Sequence, residues 1–296
     1  MPCKLSKKTW ETKVSPFDVT KDEEIDNALQ TVKEDLGDEG KSFGRYQRRR
    51  GRECLQTVKE DLVNEGLWGL VNNAGVLLFA EVELTPIRTF QQHFDVNCLG
   101  QVRMVKAFLP LIKRAKGRIV NFSSIAARTY ITMNSAYNMS KAGVEVFSDV
   151  LRLEMIKWGV KVSIIFPSVF NTNMTQFGDR QEKFLDEIKE TLNKSQKMYY
   201  NALYFKKVIE RSKGVDVAAG KSTANYLADY SPIFLGVDHA LLSQTPKARY
   251  NLGFGCSLIM AVLIHLPNWL LDFLLTFSPI TYREIDLEPR VNMKFE

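Results

Sequence analysis

A tyrosine and a lysine four residues apart, Tyr137 and Lys141, are the side chains of this sequence best suited to moving a proton. On a helix, positions i and i+4 share one face, so the hydroxyl and the ammonium can address a single point. A nearby cation favours the phenolate and lowers a pKa that is ordinarily about 10. Tyr137 is thereby predicted to act as a general acid/base near neutral pH. Ser124, thirteen residues earlier, supplies a hydroxyl able to hold a substrate oxygen. Asn97, in Asp95-Val96-Asn97-Cys98, falls inside a predicted helix, where asparagine is a poor former, and the sequence gives it no packing role. Two more polar clusters stand apart from these, Asn72-Asn73-Ala74-Gly75 and Pro167-Ser168-Val169-Phe170-Asn171-Thr172. Taken singly, each feature is ordinary: Tyr-x-x-x-Lys recurs by chance, Asn-Asn marks turns and Ser-Ser marks loops. Their order and their placement at strand ends give the set its specificity.

The elements that must position them are legible in the apolar pattern. Leu67–Val71 is an apolar run ending at Asn72. Thr85-Pro86 opens a long helical stretch to about Lys116, with Thr85 as N-cap and proline at the first position. Arg118–Phe122 is a second short strand and ends at Ser123-Ser124. Ala136–Trp158 reads as a helix closed by Gly159. Val160–Phe166 is a third strand and ends at Pro167. Short apolar strands alternating with helices predict an α/β architecture, a parallel sheet covered on both faces. Sites in such sheets lie outside the carboxyl ends of the strands, and every cluster named above falls there. Upstream, Thr12–Thr20 is strand-like, and Thr20 with Glu23 forms a predicted capping box. Downstream, Met174–Lys194 is predicted as a helical lid, Val215–Ala228 as a helix and Ile233–Leu235 as a short strand. Leu252–Phe277 is strongly apolar but marginal for a membrane-spanning helix, which needs about 20 predominantly apolar residues.

Composition removes several classes. With 45% hydrophobic and 25% charged residues among 296, the chain is not largely disordered. Its four cysteines and three histidines are scattered, which argues against a disulfide framework and against a metal site. The N-terminal ten residues hold no apolar run and are not a secretory signal. Gly214 and Gly220-Lys221-Ser222 are separated by five residues, one too many for a phosphate-binding loop, and no strand precedes them. The net charge of +6 first suggests an anionic partner. However, residues 29–40 recur at 55–66 with ten of twelve positions identical, and the segment 41–66 holds seven Lys/Arg against four Asp/Glu. Half of the excess charge therefore belongs to a duplicated or inserted block, and no nucleic-acid partner is expected. Five arginines within Arg45–Arg52 read as a solvated loop of that block.

From Leu67 to Thr172 the chain resembles the short-chain dehydrogenase/reductase family. The resemblance is carried by Asn72-Asn73-Ala74-Gly75, Val96-Asn97, Ser124, Tyr137-Asn138-Met139-Ser140-Lys141 and Pro167 to Thr172. Gly66–Gly75 and Phe108–Arg118 are most similar to the branch of the family that holds hydroxybutyrate, retinol and hydroxysteroid dehydrogenases. The resemblance implies a Rossmann-like doubly wound parallel sheet with a helical C-terminal lid. It implies NAD(H)-dependent chemistry on a secondary alcohol or ketone, with NADP as the other cofactor. The substrate pair it favours is 3-hydroxybutyrate and acetoacetate, with retinol or a hydroxysteroid as the alternative. Tyr137 would exchange the proton with the substrate oxygen, and Lys141 would lower its pKa and hold the nicotinamide ribose. Ser124 would orient the substrate, and Asn97 would position a water in the proton relay. Asp18 would contact the adenine, while Asn72, Ala74, Gly75, Pro167 and Thr172 would line the cofactor. Ser168 stands where the family usually has glycine. A homo-oligomer, a mitochondrial or other intracellular membrane-associated location, and contact of 252–277 with a membrane surface are also implied.

One departure is large. The family opens with a strand, a Gly-rich turn and a helix that cradle the pyrophosphate. No such turn precedes residue 66, and the 17 residues before Asp18 cannot hold a strand–helix–strand unit, which takes about 30. The fold is therefore expected as N-terminally truncated. Residues 1–40 would be a remnant of the dinucleotide-binding half, 41–66 the insertion, 67–250 the core and lid, and 251–296 the apolar end. The chain as written is expected to leave strand Lys13–Phe17 without its neighbour, to fold badly and to bind dinucleotide poorly. An inactive, cofactor-free pseudoenzyme or membrane-associated binding protein is the corresponding alternative function.

Overall fold

A computed structural model describes residues 19–27, 30, 66–130, 132–170, 172, 174, 178–210, 229–253, 262 and 265–277. Asp18, the strand expected at Lys13–Phe17, the helix expected at Val215–Ala228 and nearly all of the repeat lie outside them. Residues 22–27 are helical (α1), starting one residue later than a cap at Thr20 requires. The sheet has four strands, β1 (Gly69–Asn72), β2 (Arg118–Phe122), β3 (Lys161–Pro167) and β4 (Arg249–Leu252), all parallel and in that order. The register sets Asn72 opposite Asn121 and Phe122 opposite Ile165, so β1 and β2 end within one residue of each other and β3 runs two residues further.

Each crossover is helical. β1 leads through α2 (Ile87–Phe94) and α3 (Gly100–Arg114) to β2, which leads through α4 (Ser135–Met155) to β3. Between β3 and β4 come α5 (Gly178–Thr191), α6 (Lys194–Tyr199), residues 202–210 (α7) and α8 (Ser231–Leu242). Asn268–Phe277 forms α9. Both faces of the sheet are packed. On one, Ile119 of β2 meets Met104, Phe108 and Ile112 of α3, Leu151 of α4 and Ile25 of α1. On the other, Val120 and Ile165 meet Ala240, with Ile233, Val237 and Leu241 of α8 alongside. Each such fully buried branched side chain contributes about 1.5–3 kcal/mol. The Rossmann-like parallel sheet with helices on both faces, read from the sequence, is thus the one observed among the described residues.

Four local readings are corrected. Ile233–Leu235 is not a strand but lies inside α8. Pro232 fits the first helical turn, and Ile233, Val237 and Leu241 fall four apart on the face toward the sheet. The long helix expected from Thr85 starts after Pro86, which occupies the cap position. The Thr85 hydroxyl donates to the Ala80 and Glu81 carbonyls instead. That helix is also broken in the middle by a π-helical turn, Asp95–Leu99, whose ring closes from the Gly100 N–H to the Asp95 carbonyl. Finally, Val71 at the outer strand is 40% exposed, so the cover on that face is incomplete at β1 among the described residues.

The helices after β3 enclose a second apolar cluster. Phe184, Leu185 and Ile188 of α5 pack with Tyr204 and Phe205 of α7 and with Ala80 of the loop after β1. Gln181 joins α5 to that loop as a strand would. Its amide oxygen accepts from Phe79 N–H at 3.0 Å and its amide nitrogen donates to Phe79 C=O at 2.7 Å. Gln181 is fully buried. Gln181→Leu keeps the volume but strips both partners from Phe79, and is expected to destabilise the protein by about 2 kcal/mol. Urea unfolding measures this, and faster amide exchange confined to 178–191 would place the loss at the lid.

Candidate active site

The site forms where β1, β2 and α4 meet. Tyr137 and Lys141 lie on one face of α4, both buried, with the Lys141 ammonium 5.7 Å from the centre of the Tyr137 ring. Lys141 Nζ donates to the Phe122 carbonyl at 2.9 Å, and the Ser123 hydroxyl donates to the Lys141 carbonyl at 2.9 Å. Strand end and helix are therefore tied together in both directions. Ser124 follows as the cap of a 3-10 turn, Ile125–Ala127. Its hydroxyl accepts from Ala126 N–H and lies beside the Tyr137 hydroxyl, close enough to act on its pKa. The Tyr137 ring packs against Leu77 and Ala126, with Phe79 and Met174 at the edge.

Burial shifts these groups strongly. It pushes the Lys141 ammonium down to about 8, and the Cys98 thiol up against the pull of Lys141. It also pushes the Tyr137 phenol up, while the Ser124 hydroxyl acts the other way. The phenolate-favouring shift expected from the Tyr-x-x-x-Lys spacing is not what this geometry gives. The desolvation of a buried anion outweighs the favourable contacts.

Asn97 owes its position to the π-helical turn, a geometry that recurs at functional sites. Its amide oxygen accepts from Val76 N–H at 2.7 Å. Its nitrogen donates to Val76 C=O at 3.0 Å and to the Ser140 hydroxyl at 2.9 Å. Ser140 in turn donates to the Tyr137 carbonyl at 2.7 Å. His93, one turn earlier and fully buried, accepts from Leu78 N–H on Nε2. Its Nδ1 faces the Thr89 carbonyl at 2.8 Å, which assigns the proton to Nδ1. Burial lowers its pKa and keeps it neutral. With Gln181, these residues hold the loop at Val76, Leu78 and Phe79 in turn. His93 and Gln181 were invisible to motif reading. Gln181 leaves one trace in the sequence, a polar residue beside the apolar Phe184, Leu185 and Ile188, whereas His93 shares its buried face with Thr89 and Asn97.

The remaining expected residues divide. Asn72 is buried and its amide donates to the Asn121 side chain at 2.9 Å, which itself donates to the Ser148 hydroxyl, so that amide faces the protein interior. Ala74 is exposed, and Gly75 is half-buried with its Cα turned toward the site. A Cβ added at Gly75 would stand 3.3 Å from Asn97 Oδ1, 3.6 Å from Lys141 Nζ and 2.9 Å from Met174 Cε. Pro167 ends β3, and Thr172 lies beyond it. Ser168 at the usual glycine position is accommodated by Gly253, whose φ is +105°. The serine hydroxyl fills the space where a Cβ of Gly253 would be. Among the described residues, no cluster of three or more His, Cys, Asp or Glu is placed to hold a metal ion.

The sequence pattern of the short chain dehydrogenase family matches residues 46–183. The chain is 35% identical over 259 residues to the mitochondrial D-beta-hydroxybutyrate dehydrogenase of Bos taurus, covering 86% of this chain and 66% of that protein. It is 35% identical over 264 residues to retinol dehydrogenase 7 of Mus musculus, covering 89% and 72%. It is 34% identical over 263 residues to 17-beta-hydroxysteroid dehydrogenase type 6 of Homo sapiens, covering 88% and 72%. The protein belongs to the short-chain dehydrogenase family, as its motifs indicate. It spans 66% of the length of the hydroxybutyrate dehydrogenase that it matches.

Proposed function

We propose that the protein is an oxidoreductase that moves a hydride between NAD(H) and a secondary alcohol or ketone, with 3-hydroxybutyrate and acetoacetate as the substrate pair. The observation that carries this reading is the convergence of Tyr137, Lys141, Ser124 and Asn97 at the level ends of β1 and β2. The open backbone of Gly75 against Lys141 and Asn97 fits a nicotinamide ribose, because any side chain there would fill the cradle. Gly75, Tyr137 and Lys141 would hold that end of the cofactor, with Ala74, the main chain of Asn72, Pro167 and Thr172 around it and Asp18 toward the adenine. A dinucleotide bound there would supply or accept the hydride. Tyr137 gives or takes the proton at the substrate oxygen. Ser124, beside the tyrosine, fixes where that oxygen sits. Lys141 brings positive charge to the point where the phenolate develops, and Asn97 orders the Val76 main chain beside it.

The choice of 3-hydroxybutyrate rests on the similarity to the Bos taurus enzyme, whose name states that substrate. Retinol and hydroxysteroids are the competing substrates that the other relatives' names supply. The reading extends to a homo-oligomer at a mitochondrial or other intracellular membrane, touching its surface through 252–277. Trp269, Phe273 and Leu274 of α9 are exposed apolar side chains there. Among the described residues, no helix is long and apolar enough to cross a membrane. Following nicotinamide absorbance with D-3-hydroxybutyrate, retinol and a 17β-hydroxysteroid in parallel tests the assignment. Turnover of the first alone supports the pair, turnover of the others alone transfers the assignment to them, and absence of turnover with every alcohol refutes the oxidoreductase reading.

A further inference from the structure

One stripe of α4 carries four ionisable side chains at four-residue spacing, Tyr137, Lys141, Glu145 and Asp149. The first two belong to the site and the last two do not. Glu145 is buried and receives the Arg128 guanidinium as a fork. Arg128 Nε lies 2.9 and 3.0 Å from its two oxygens, and a second Arg128 nitrogen also bonds one of them. Arg249, the first residue of β4, closes on Glu145 at 3.4 Å and on Asp149. Arg152 adds a contact to Asp149 at 3.4 Å. A bidentate pair of this kind fixes distance and orientation together, unlike a single exposed ion pair. Arg128 also ends the 3-10 turn that Ser124 begins. Its N–H donates to the Ile125 carbonyl, and the Ala127 N–H donates to the Ser124 carbonyl. The turn is thus held against α4 at Arg128 through Glu145, and its other end sets Ser124 beside Tyr137.

We propose that Glu145 is a positioning residue: by clamping Arg128 it sets the Ser124 turn against α4 and so fixes the alignment of the Ser124 and Tyr137 hydroxyls. The inference rests on the proton-transfer role proposed above for those hydroxyls. Glu145→Gln keeps the size and removes the charge that holds both guanidinium nitrogens, and Arg128→Lys keeps the charge and removes the fork. Each is expected to lower kcat about 10-fold or more, as a misaligned pair of reacting groups does, with KM for the dinucleotide within about twofold. Glu145→Asp, which restores the carboxylate, is expected to recover part of the loss. The exposed pair Arg88–Glu187, between α2 and α5, supplies the control. Glu187→Gln there is expected to leave kcat unchanged. Tyrosine labelled at Cζ, with the Tyr137 signal assigned through Tyr137→Phe, gives a second readout by NMR at neutral pH. A shifted Tyr137 resonance in folded Glu145→Gln and Arg128→Lys supports the proposal. An unmoved resonance with wild-type kcat, or with only a lowered melting temperature, overturns it. An inactive parent chain would refute the oxidoreductase reading, and the Tyr137 resonance alone would then decide this one.

Discussion

Tyr137→Phe is expected to lower turnover by about 100- to 10,000-fold, the usual contribution of a positioned general acid/base, and to change stability little. The ring keeps its packing against Leu77 and Ala126. What disappears is one hydroxyl and its contact with the Ser124 hydroxyl, a loss of about 1 kcal/mol. Steady-state turnover at saturating substrate, set beside thermal unfolding of both proteins, measures the two effects separately. A phenylalanine variant that turns over at the parent rate would move the proton role to another group. The upward pull of burial on the phenol gives the experiment a second axis. Activity limited by deprotonation of Tyr137 rises toward alkaline pH, and Ser124→Ala, which removes the opposing hydroxyl, displaces that rise further upward.

Lys141→Met is expected to abolish most of the activity and yet stabilise the protein at neutral pH. The ammonium is 3% exposed and its pKa in the fold is about 8, against 10.5 for the free group. Between those values the unfolded chain holds a proton that the folded one has lost, so stability rises with pH across that window. Below pH 8 the whole penalty for burying the cation is present, about 3 kcal/mol at 1.36 kcal/mol per unit. Methionine keeps the aliphatic stem and removes the charge. The Phe122 carbonyl loses one donor but keeps the Gln101 amide at 3.1 Å, so a net gain of about 1–2 kcal/mol remains. Denaturant unfolding of both proteins at neutral pH and at about pH 10 reads it, since the advantage of methionine shrinks as the wild-type lysine discharges. A methionine variant that is less stable at both pH values would show that Lys141 carries no burial penalty.

What the sequence disclosed and what it concealed differ in kind. Arg118–Phe122 was legible as a strand because all five residues are buried and the run is apolar enough to stand out. Ser135–Met155 with its 3-10 extension to Trp158 was legible because Gly159, at φ +70°, ends it as an αL cap does. Ile233–Leu235 misled because a short apolar run reads alike as a strand or as a helix turn. β4, Arg-Tyr-Asn-Leu, escaped notice because only Tyr250 of the four is buried. At the candidate site, the motif residues stand out in the sequence by type and spacing. Gln181 and Glu145 do not, since their partners lie 102 and 17 residues away and only the folded chain sets them opposite one another. The upward shift of the Tyr137 phenol is hidden from the sequence for a related reason. Spacing on a helix reports which charges are near, but not how completely water is excluded.

The π-helical turn at Asp95–Leu99 has a consequence for how the gene can change. Its ring spans one residue more than an α turn, as the bond from Gly100 N–H to Asp95 C=O shows. Loss of a single codon within it would let an α ladder re-form and would rotate everything upstream by about 100° around the helix axis. His93 and Asn97 would then leave Leu78 and Val76 together, although no motif residue had been altered. The length of this turn is thus inherited alongside the identity of Asn97, and an in-frame deletion there is expected to lower activity even when every motif residue is kept.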